Sequence, residues 1–279
     1  MNQLSVPVGG KANPYTAAIA RERSQKRGVS WKKRAGLALV ALLVAAVLTP
    51  LFLTWAGNLW IDERKLSAVQ HPAQGVYVRL DEVPDYVWKA FVAIEDHRYM
   101  QHSGVDPYGL ARAIWVDVQE GAYVQGGSTI TMQLARNLFL TQDKTIGRKI
   151  KEMAIALQLE QRYSKKELLE MYLNVIYFGH GHYGIEEAAQ FYFGKTLKAS
   201  SGHAPLTMGE AAILASLPKA PEAYSPVKHG EKAQARMQVV LDRMAELHVI
   251  DQETLKQAKQ QQVVVKAKES SEQRTALKQ

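Results

Sequence analysis

The sequence of 279 residues contains no cysteine. Disulfide bonds therefore cannot stabilise the fold, and the redox state of the compartment cannot be inferred from the composition. Few segments alternate apolar and polar residues with the period of two that marks a strand. From Pro84 onward, apolar residues recur at helical spacing instead. We therefore expect a mainly α-helical domain.

Charged residues are absent from residues 35–61, and residues 37–53 are almost wholly apolar. A helix over residues 35–60 has the run of about 20 apolar residues that a bilayer core requires. Basic residues dominate the sequence before this segment, whereas acidic and basic residues balance after it, which predicts an N-terminus in the cytoplasm. A cleaved signal peptide is the alternative. The long leader and the lack of a small-x-small cleavage site favour an uncleaved anchor.

Four regions are predicted from these patterns. We expect a disordered basic tail at residues 1–34, an anchor at 35–60, an extracytoplasmic domain at 66–250, and a short helix with a charged tail at 251–279. Residues 66–83 lack helical periodicity, and we expect a loop there. The net charge is +8. Beside a membrane, a basic outer domain indicates anionic or phosphorylated lipids rather than nucleic acid, for which no motif is present.

Two adjacent carboxylates, Glu95 and Asp96, stand where an amphipathic helix is predicted to end. The helix begins after Pro84, with Asp85 as its expected N-cap. Carboxylates at a helix C-terminus face the negative end of the macrodipole, which disfavours their charge. Such a position indicates a carboxylate kept for chemistry, with its pKa raised toward the range of a general base. The alternative is an exposed acidic pair neutralised by neighbouring His97 or Arg98.

Two further clusters could bind an anion. Residues 126–133 place two glycines and several hydroxyl side chains at a predicted helix start, which suits a phosphate or sugar hydroxyl. A simple helix entry capped by Ser128 or Thr129 is the alternative. Residues 144–152 crowd four basic side chains around Glu152, as an anionic leaving group requires. Arg148 and Glu152 could also form only a surface pair.

The order of these segments is more specific than any one of them. Five segments in sequence resemble the motifs of the peptidoglycan glycosyltransferases of family 51. They are EDHRYMQHSG (95–104), GGSTITMQLARN (126–137), RKIKE (148–152), SKKELLEMYLN (164–174) and RMQVVL (236–241). The departures are mild, since Tyr99 stands where Phe is commonest in the family and Met132 where Gln is usual.

The resemblance implies a lysozyme-like helical fold with a smaller lobe that dips into the outer leaflet. It also implies polymerisation of lipid II, with the growing glycan, held through an α-linked lipid diphosphate, as the donor. The 4-hydroxyl of the lipid II GlcNAc attacks with inversion, which gives a β-1,4 linkage and releases undecaprenyl diphosphate. The sequence ends soon after the fifth motif, so we expect a monofunctional enzyme without transpeptidase activity.

The same resemblance assigns roles to individual residues. Glu95 is the expected general base, Asp96 supports it or helps to hold a divalent cation, and Glu152 orients donor or acceptor. The residues expected to hold the diphosphate are Arg136, Lys144, Lys149 and Lys151. The other residues expected to bind substrate are His102, Ser128, Thr129, Gln133, Asn137 and Arg148.

Metal dependence varies within the family, so Mg²⁺ or Mn²⁺ is left open and Asp96 is the one ligand suggested. His180 and His182 lack a nearby third ligand, and no zinc site is predicted there. The expected partners are lipid II, nascent glycan strands and other cell-wall synthesis proteins at the bacterial cytoplasmic membrane. Two rival readings stay open at this point. One is a lysozyme-like hydrolase, which also needs two carboxylates, and the other is an inactive scaffold for wall-building complexes.

Overall fold

The computed structural model describes residues 31–72, 76–121, 126–141, 143, 145–197 and 205–266, without the side chain of Lys32. Residues 1–30 of the tail expected to be disordered and the candidate ligand Lys144 lie outside these residues, whereas residues 31–34 of that tail are helical. Within them the fold consists of eleven α-helices and three short 3₁₀ helices, with a single isolated bridge between Tyr177 and Tyr183 and no strand. The mainly α-helical class predicted from the sequence is confirmed.

The α-helices follow one another along the chain as α1 (Trp31–Gly57), α2 (Glu63–Gln70), α3 (Asp85–Glu95), α4 (Pro107–Glu120), α5 (Ile130–Phe139), α6 (Ile146–Arg162), α7 (Lys165–Val175), α8 (Ile185–Phe193), α9 (Met208–Ser216), α10 (Gly230–Glu246) and α11 (Gln252–Gln260). The 3₁₀ helices are Asn58–Trp60, Leu80–Glu82 and Tyr99–Gln101.

The chain divides into two compact units at residue 50. In the first unit, every side chain that the structure describes is exposed. The stretch Lys33–Trp60 has a mean hydropathy of 2.6 over its most apolar part and is long enough to cross a bilayer. By length and composition, the helix expected near the N-terminus is therefore confirmed.

The second unit has one hydrophobic core to which most of its helices contribute. Helix α9 packs against α3 and α10, while α5 packs against α6 and α7. Phe91 and Phe178 meet edge to face in this core, with ring centroids 6.0 Å apart, and both are fully buried. Side-chain caps fix the starts of several helices, because each accepts a hydrogen bond from a backbone N–H of the first turn. These caps are Thr129, Thr145, Ser164, Thr207 and Asp251.

Two predictions about local structure are wrong. Residues 63–70 form helix α2 rather than the start of a loop. The helix is short and polar and buries only Leu66, so few apolar residues mark it in the sequence, but the carboxylate of Asp62 caps it. Asp85 is not the N-cap of α3. Pro84, held in an extended conformation, takes that place, and Asp85 instead bonds Lys89 one turn later.

Helix α4 is unusual because it leaves large apolar side chains exposed. It buries only Ala113, whereas Ile114, Trp115 and Val118 are all more than half exposed. A contiguous apolar surface of this kind is typical of a region that contacts a membrane or another macromolecule.

Candidate active site

The predicted helix end is confirmed, since Glu95 is the last residue of α3 and Asp96 is its C-cap. The amide of Gln133 on α5 donates a hydrogen bond of 2.7 Å to Glu95 Oε2. Gln133 in turn accepts from the hydroxyl of Tyr172 at 3.3 Å. A neutral amide, itself oriented by a buried tyrosine, therefore fixes the Glu95 carboxyl.

Burial is the main cause that raises the pKa of Glu95 above its ordinary value of 4.5. The hydrogen bond from Gln133 and the positive charges of Arg236, Lys219 and Arg136 offset part of this effect. The raised pKa agrees with the prediction for a carboxylate kept for chemistry. A carboxylate in this environment is suited to accept a proton from a sugar hydroxyl.

Asp96 is 7% exposed and ties the helix end to its surroundings. One oxygen accepts from the backbone N–H of Ile130, at the start of α5, at 3.0 Å. Both oxygens lie 3.0 Å from His102 Nε2. The other ring nitrogen of His102 is buried and has no hydrogen-bond partner among the described residues, which fits a proton carried on Nε2. Asp96 and His102 thus fasten the turn after Glu95 to α5.

This donor set fits a positioning role for Asp96 better than a metal site. Its two oxygens already accept hydrogen bonds from protein donors, and the described residues contain no group of three side chains arranged to hold a metal ion. A cation such as Mg²⁺ needs several oxygen ligands in near-octahedral geometry.

The turn before α5 separates two neighbouring hydroxyl residues by role. Thr129 is 2% exposed; its hydroxyl caps α5 by accepting from the N–H of Met132 and donates to the carbonyl of Gly104 at 2.5 Å. Ser128 instead contacts the ammonium group of Lys149 on α6. Thr129 therefore joins the start of α5 to Gly104, whereas Ser128 lies beside a cation that could hold an anionic group.

Helix α6 brings Arg148, Lys149 and Glu152 onto one face, as their spacing of three and four residues requires. Glu152 is fully buried. Its carboxylate contacts the Arg148 guanidinium and lies 3.1 Å from Lys149 Nζ. The reading of Arg148 and Glu152 as only a surface pair is therefore wrong, because the carboxylate lies inside the fold.

Lys149 is the most perturbed cation of this face. Burial, followed by the positive charges of Arg136 and Arg148, lowers its pKa from 10.5 to about 8. Glu152 contacts two of the three cations gathered from α5 and α6, which leaves an excess of positive charge among them. This arrangement is chemically suited to a diphosphate, whose negative charge would stabilise all three.

The structure does not bring every predicted ligand to this face. Lys151 is exposed and points toward another side of α6, where its ammonium group lies 5.5 Å from the centre of the Trp60 ring. Residues two positions apart on a helix do not share a face, which explains the separation. Asn137 is exposed on α5, one residue beyond the partly buried Arg136.

Two cations close to Glu95 were not predicted as site residues. Arg236 begins the fifth motif, on α10, and its guanidinium lies 5.6 Å from the centre of the Tyr224 ring. Its Nε atom is buried and has no hydrogen-bond partner among the described residues. Lys219 follows α9 and is exposed. The motif itself could have indicated Arg236, but the sequence carries no signal for Lys219.

Comparison with known proteins assigns the chain to a family. A sequence model of the family described as transglycosylase matches residues 62–245. The chain belongs to the transglycosylase family. The resemblance to the family 51 peptidoglycan glycosyltransferases is thereby confirmed.

Relatives of known name agree with this assignment. The chain is 41% identical to penicillin-binding protein 1F of Bacillus subtilis (strain 168) over 76% of its own length and 32% of that protein. It is 46% identical to penicillin-binding protein 1A of Escherichia coli (strain K12) over 72% of its length and 23% of that protein. A crystal structure of penicillin-binding protein 1A from Haemophilus influenzae matches 69% of the chain and 18% of its own, at 26% identity and a TM-score of 0.40. The chain thus spans a third or less of these relatives.

Proposed function

We propose that this protein polymerises peptidoglycan glycan strands from lipid II. The proposal is supported by its membership of the transglycosylase family. The observation that carries the chemistry is the Glu95 carboxyl, which is raised in pKa and fixed by Gln133 beside a set of cations. The substrates would be a growing glycan on a lipid diphosphate and an incoming lipid II molecule.

In the proposed reaction, the 4-hydroxyl oxygen of the acceptor GlcNAc bonds to the anomeric carbon of the donor sugar. The bond from that carbon to the diphosphate oxygen breaks, and the configuration inverts. Glu95 takes the hydroxyl proton, which makes the oxygen a stronger nucleophile as the new bond forms. The polymer then carries one more disaccharide, and undecaprenyl diphosphate leaves with both electrons of the broken bond.

Negative charge grows on the departing diphosphate in the transition state, and preorganised cations stabilise such charge. Lys149, Arg148 and Arg136 are placed to provide this stabilisation. Glu152 would keep the α6 cations in position, and Ser128 would direct Lys149 toward the substrate. Arg236 and Lys219, whose charges also act on Glu95, would offer positive charge for a second anionic group.

A lipid-linked substrate requires a catalytic domain at the membrane surface. The apolar helix near the N-terminus and the exposed apolar face of α4 support this location. The basic residues that precede α1 favour an N-terminus in the cytoplasm and a catalytic domain outside. The absence of transpeptidase activity and partners among other wall-building proteins stay predictions, and a role for Mg²⁺ or Mn²⁺ stays open.

The direct test is incubation of the full chain, in detergent micelles, with purified lipid II, with and without a chelator. We expect glycan polymer and released undecaprenyl diphosphate, and the chelator arm measures the need for a metal. No polymer from lipid II, together with fragments released from finished cell wall, would identify a hydrolase and overturn the proposal.

A further inference from the structure

Residues 54–65, called here the joint segment, pack directly on the helix that carries Glu152. The segment comprises the last turn of α1, the 3₁₀ helix Asn58–Trp60 and the start of α2. A Cβ atom added to Gly57 would lie 2.1 Å from the carbonyl oxygen of Ala154, two residues beyond Glu152. Small residues permit this kind of backbone approach between helices. Only glycine fits at Gly57 without displacing a backbone.

Polar contacts continue this packing along α6. Arg162, near the end of α6, contacts both Asn58 and Glu63, and its distance to the Glu63 carboxylate is 2.5 Å. The ammonium group of Lys151 lies over the Trp60 ring. The joint segment therefore contacts α6 from Lys151, in its second turn, to Arg162, its last residue.

A third contact reaches α5, the helix that carries Gln133 and Arg136. Lys65 Nζ donates a hydrogen bond of 2.9 Å to the carbonyl oxygen of Leu138. Both helices that supply the cations around the substrate are thus fastened to the same short segment.

A second glycine holds α6 from the side of the active site. Gly104 closes the turn that begins at Asp96, and its φ of +92° is one that other residues rarely adopt. A Cβ atom there would lie 2.7 Å from the carbonyl oxygen of Ala156. Helix α6 is therefore held between the joint segment and the turn that follows Glu95, with little space to move on either side.

We propose that the joint segment is a positioning element of the active site, which holds α6 in the position where Glu152 and Lys149 can act on the substrate. This inference rests on the proposed polymerase function. It assigns to Gly57 a role that the membrane-anchor reading of this region lacks. An anchor that only tethers the domain tolerates a methyl group at Gly57, whereas a positioning element does not.

The size of the expected effect follows from the contact distance. Contacts of a Cβ atom with another atom are essentially never below 3.0 Å, so a methyl group at Gly57 must move α6 or the joint segment by about 1 Å. Misplacement of catalytic groups by about 1 Å can lower a rate by roughly 10²-fold. We expect Gly57→Ala to lower kcat for lipid II polymerisation by about 10- to 100-fold.

Gly36→Ala is the matched control. Gly36 lies in the same helix, α1, and a Cβ atom there meets no atom within 4 Å. Both substitutions add one methyl group to the same helix, and they differ in what that methyl group meets. We expect Gly36→Ala to keep the kcat of the parent chain.

A change in active-site geometry also shifts the pH dependence of kcat/KM, which partial unfolding does not change. Burial lowers the pKa of Lys149 to about 8. If α6 shifts and Lys149 becomes more hydrated, the pKa of Lys149 rises. The fall of kcat/KM at alkaline pH (the alkaline limb), where Lys149 loses its charge, then moves to higher pH. A smaller folded fraction scales the rate but leaves this limb in place. We expect the limb to move in Gly57→Ala and not in Gly36→Ala.

A crosslink tests the same contact without a clash. Thr54 and Gln158 are neighbours across this contact, since the Gln158 amide, oriented to satisfy its neighbours, donates to the main-chain carbonyl of Thr54 at 2.8 Å. The sequence has no cysteine, so Thr54→Cys with Gln158→Cys gives one site for a short bis-maleimide. We expect the crosslinked chain to polymerise lipid II at the parent rate. This arm does not depend on whether Gly57→Ala folds.

The outcomes separate the two proposals. A parent chain that leaves lipid II unpolymerised contradicts the proposed function. An active parent, with Gly57→Ala equal to Gly36→Ala in kcat and alkaline limb, overturns the positioning role alone. Loss of activity on crosslinking would likewise overturn it, because the contact would then have to open during catalysis.

Discussion

Glu95 at the end of α3 and Glu152 in the middle of α6 are two carboxylates with opposite surroundings. Glu95 receives its hydrogen bond from the neutral amide of Gln133. Glu152 is fully buried but contacts two cations, Arg148 and Lys149. Burial without a contacting cation raises the pKa of Glu95, whereas adjacent positive charges stabilise the ionised form of a carboxylate.

This difference separates the roles of the two residues. A group that is to take a proton in the transition state works best when its charged form is not stabilised by a contacting cation. A group that is to keep two cations aligned must stay ionised. Glu95 therefore fits the proton acceptor, and Glu152 fits a fixed counter-charge for the cations on α6.

The largest expected effect is that of Glu95→Gln on polymerisation. The amide keeps the shape and polarity of the side chain but cannot accept the hydroxyl proton, so we expect kcat for lipid II to fall by about 10³-fold. Glu253→Gln on the exposed part of α11 makes the same charge change and should keep the parent rate. A Glu95→Gln chain that polymerises lipid II within a few-fold of the parent would remove Glu95 from the mechanism.

A smaller loss is expected for Glu152→Gln, about 10²-fold in kcat, because the cations lose their counter-charge but the base stays. Stability should fall as well. Removing one partner of a buried ion pair is strongly destabilising, and we expect about 2 kcal/mol here because Arg148 and Lys149 keep 16% and 31% exposure. Chemical denaturation in micelles measures this change. An unchanged unfolding free energy would show that Glu152 does not hold the cations.

The third effect concerns binding of the diphosphate as well as the chemical step, since Lys149 would contact the diphosphate before and during its departure. Lys149→Met removes a cation from the diphosphate site, and we expect KM for lipid II to rise by about tenfold. Lys166→Met makes the same substitution at an exposed position of α7 and serves as the control. If both variants keep the parent KM, the diphosphate is held elsewhere.

Sequence patterns alone predicted those helices that pack a regular apolar face against the core. The helix end at Glu95 was predicted because the apolar residues that precede it repeat every three to four positions. Helix α4 was missed as a separate element because it buries only Ala113. Helix α2 was missed for the related reason that one buried residue, Leu66, makes no pattern.

The site was predicted as a set of residues but not as an arrangement. Motif order identified Glu95, Glu152 and Lys149, yet motif membership carries no direction for a side chain. Lys151 was therefore grouped with Lys149, although the helix turns it toward Trp60. The hydrogen bond from Gln133 to Glu95 joins residues 38 positions apart, and only packing of α5 against the end of α3 creates it.

The central claim is that Glu95 is a base whose charge the fold disfavours. Because the pKa of Glu95 is raised above 4.5, the folded chain binds more protons than the unfolded chain just above that pH, and the group's contribution to stability is lost as pH rises through the folded pKa. The decisive measurement is the unfolding free energy of the parent and of Glu95→Gln in micelles from pH 4.5 to pH 7.5. We predict that the unfolding free energy of Glu95→Gln, relative to that of the parent, increases as pH rises, and that the variant is the more stable of the two at neutral pH. A variant that is less stable at neutral pH, or a difference that does not depend on pH, would contradict the account.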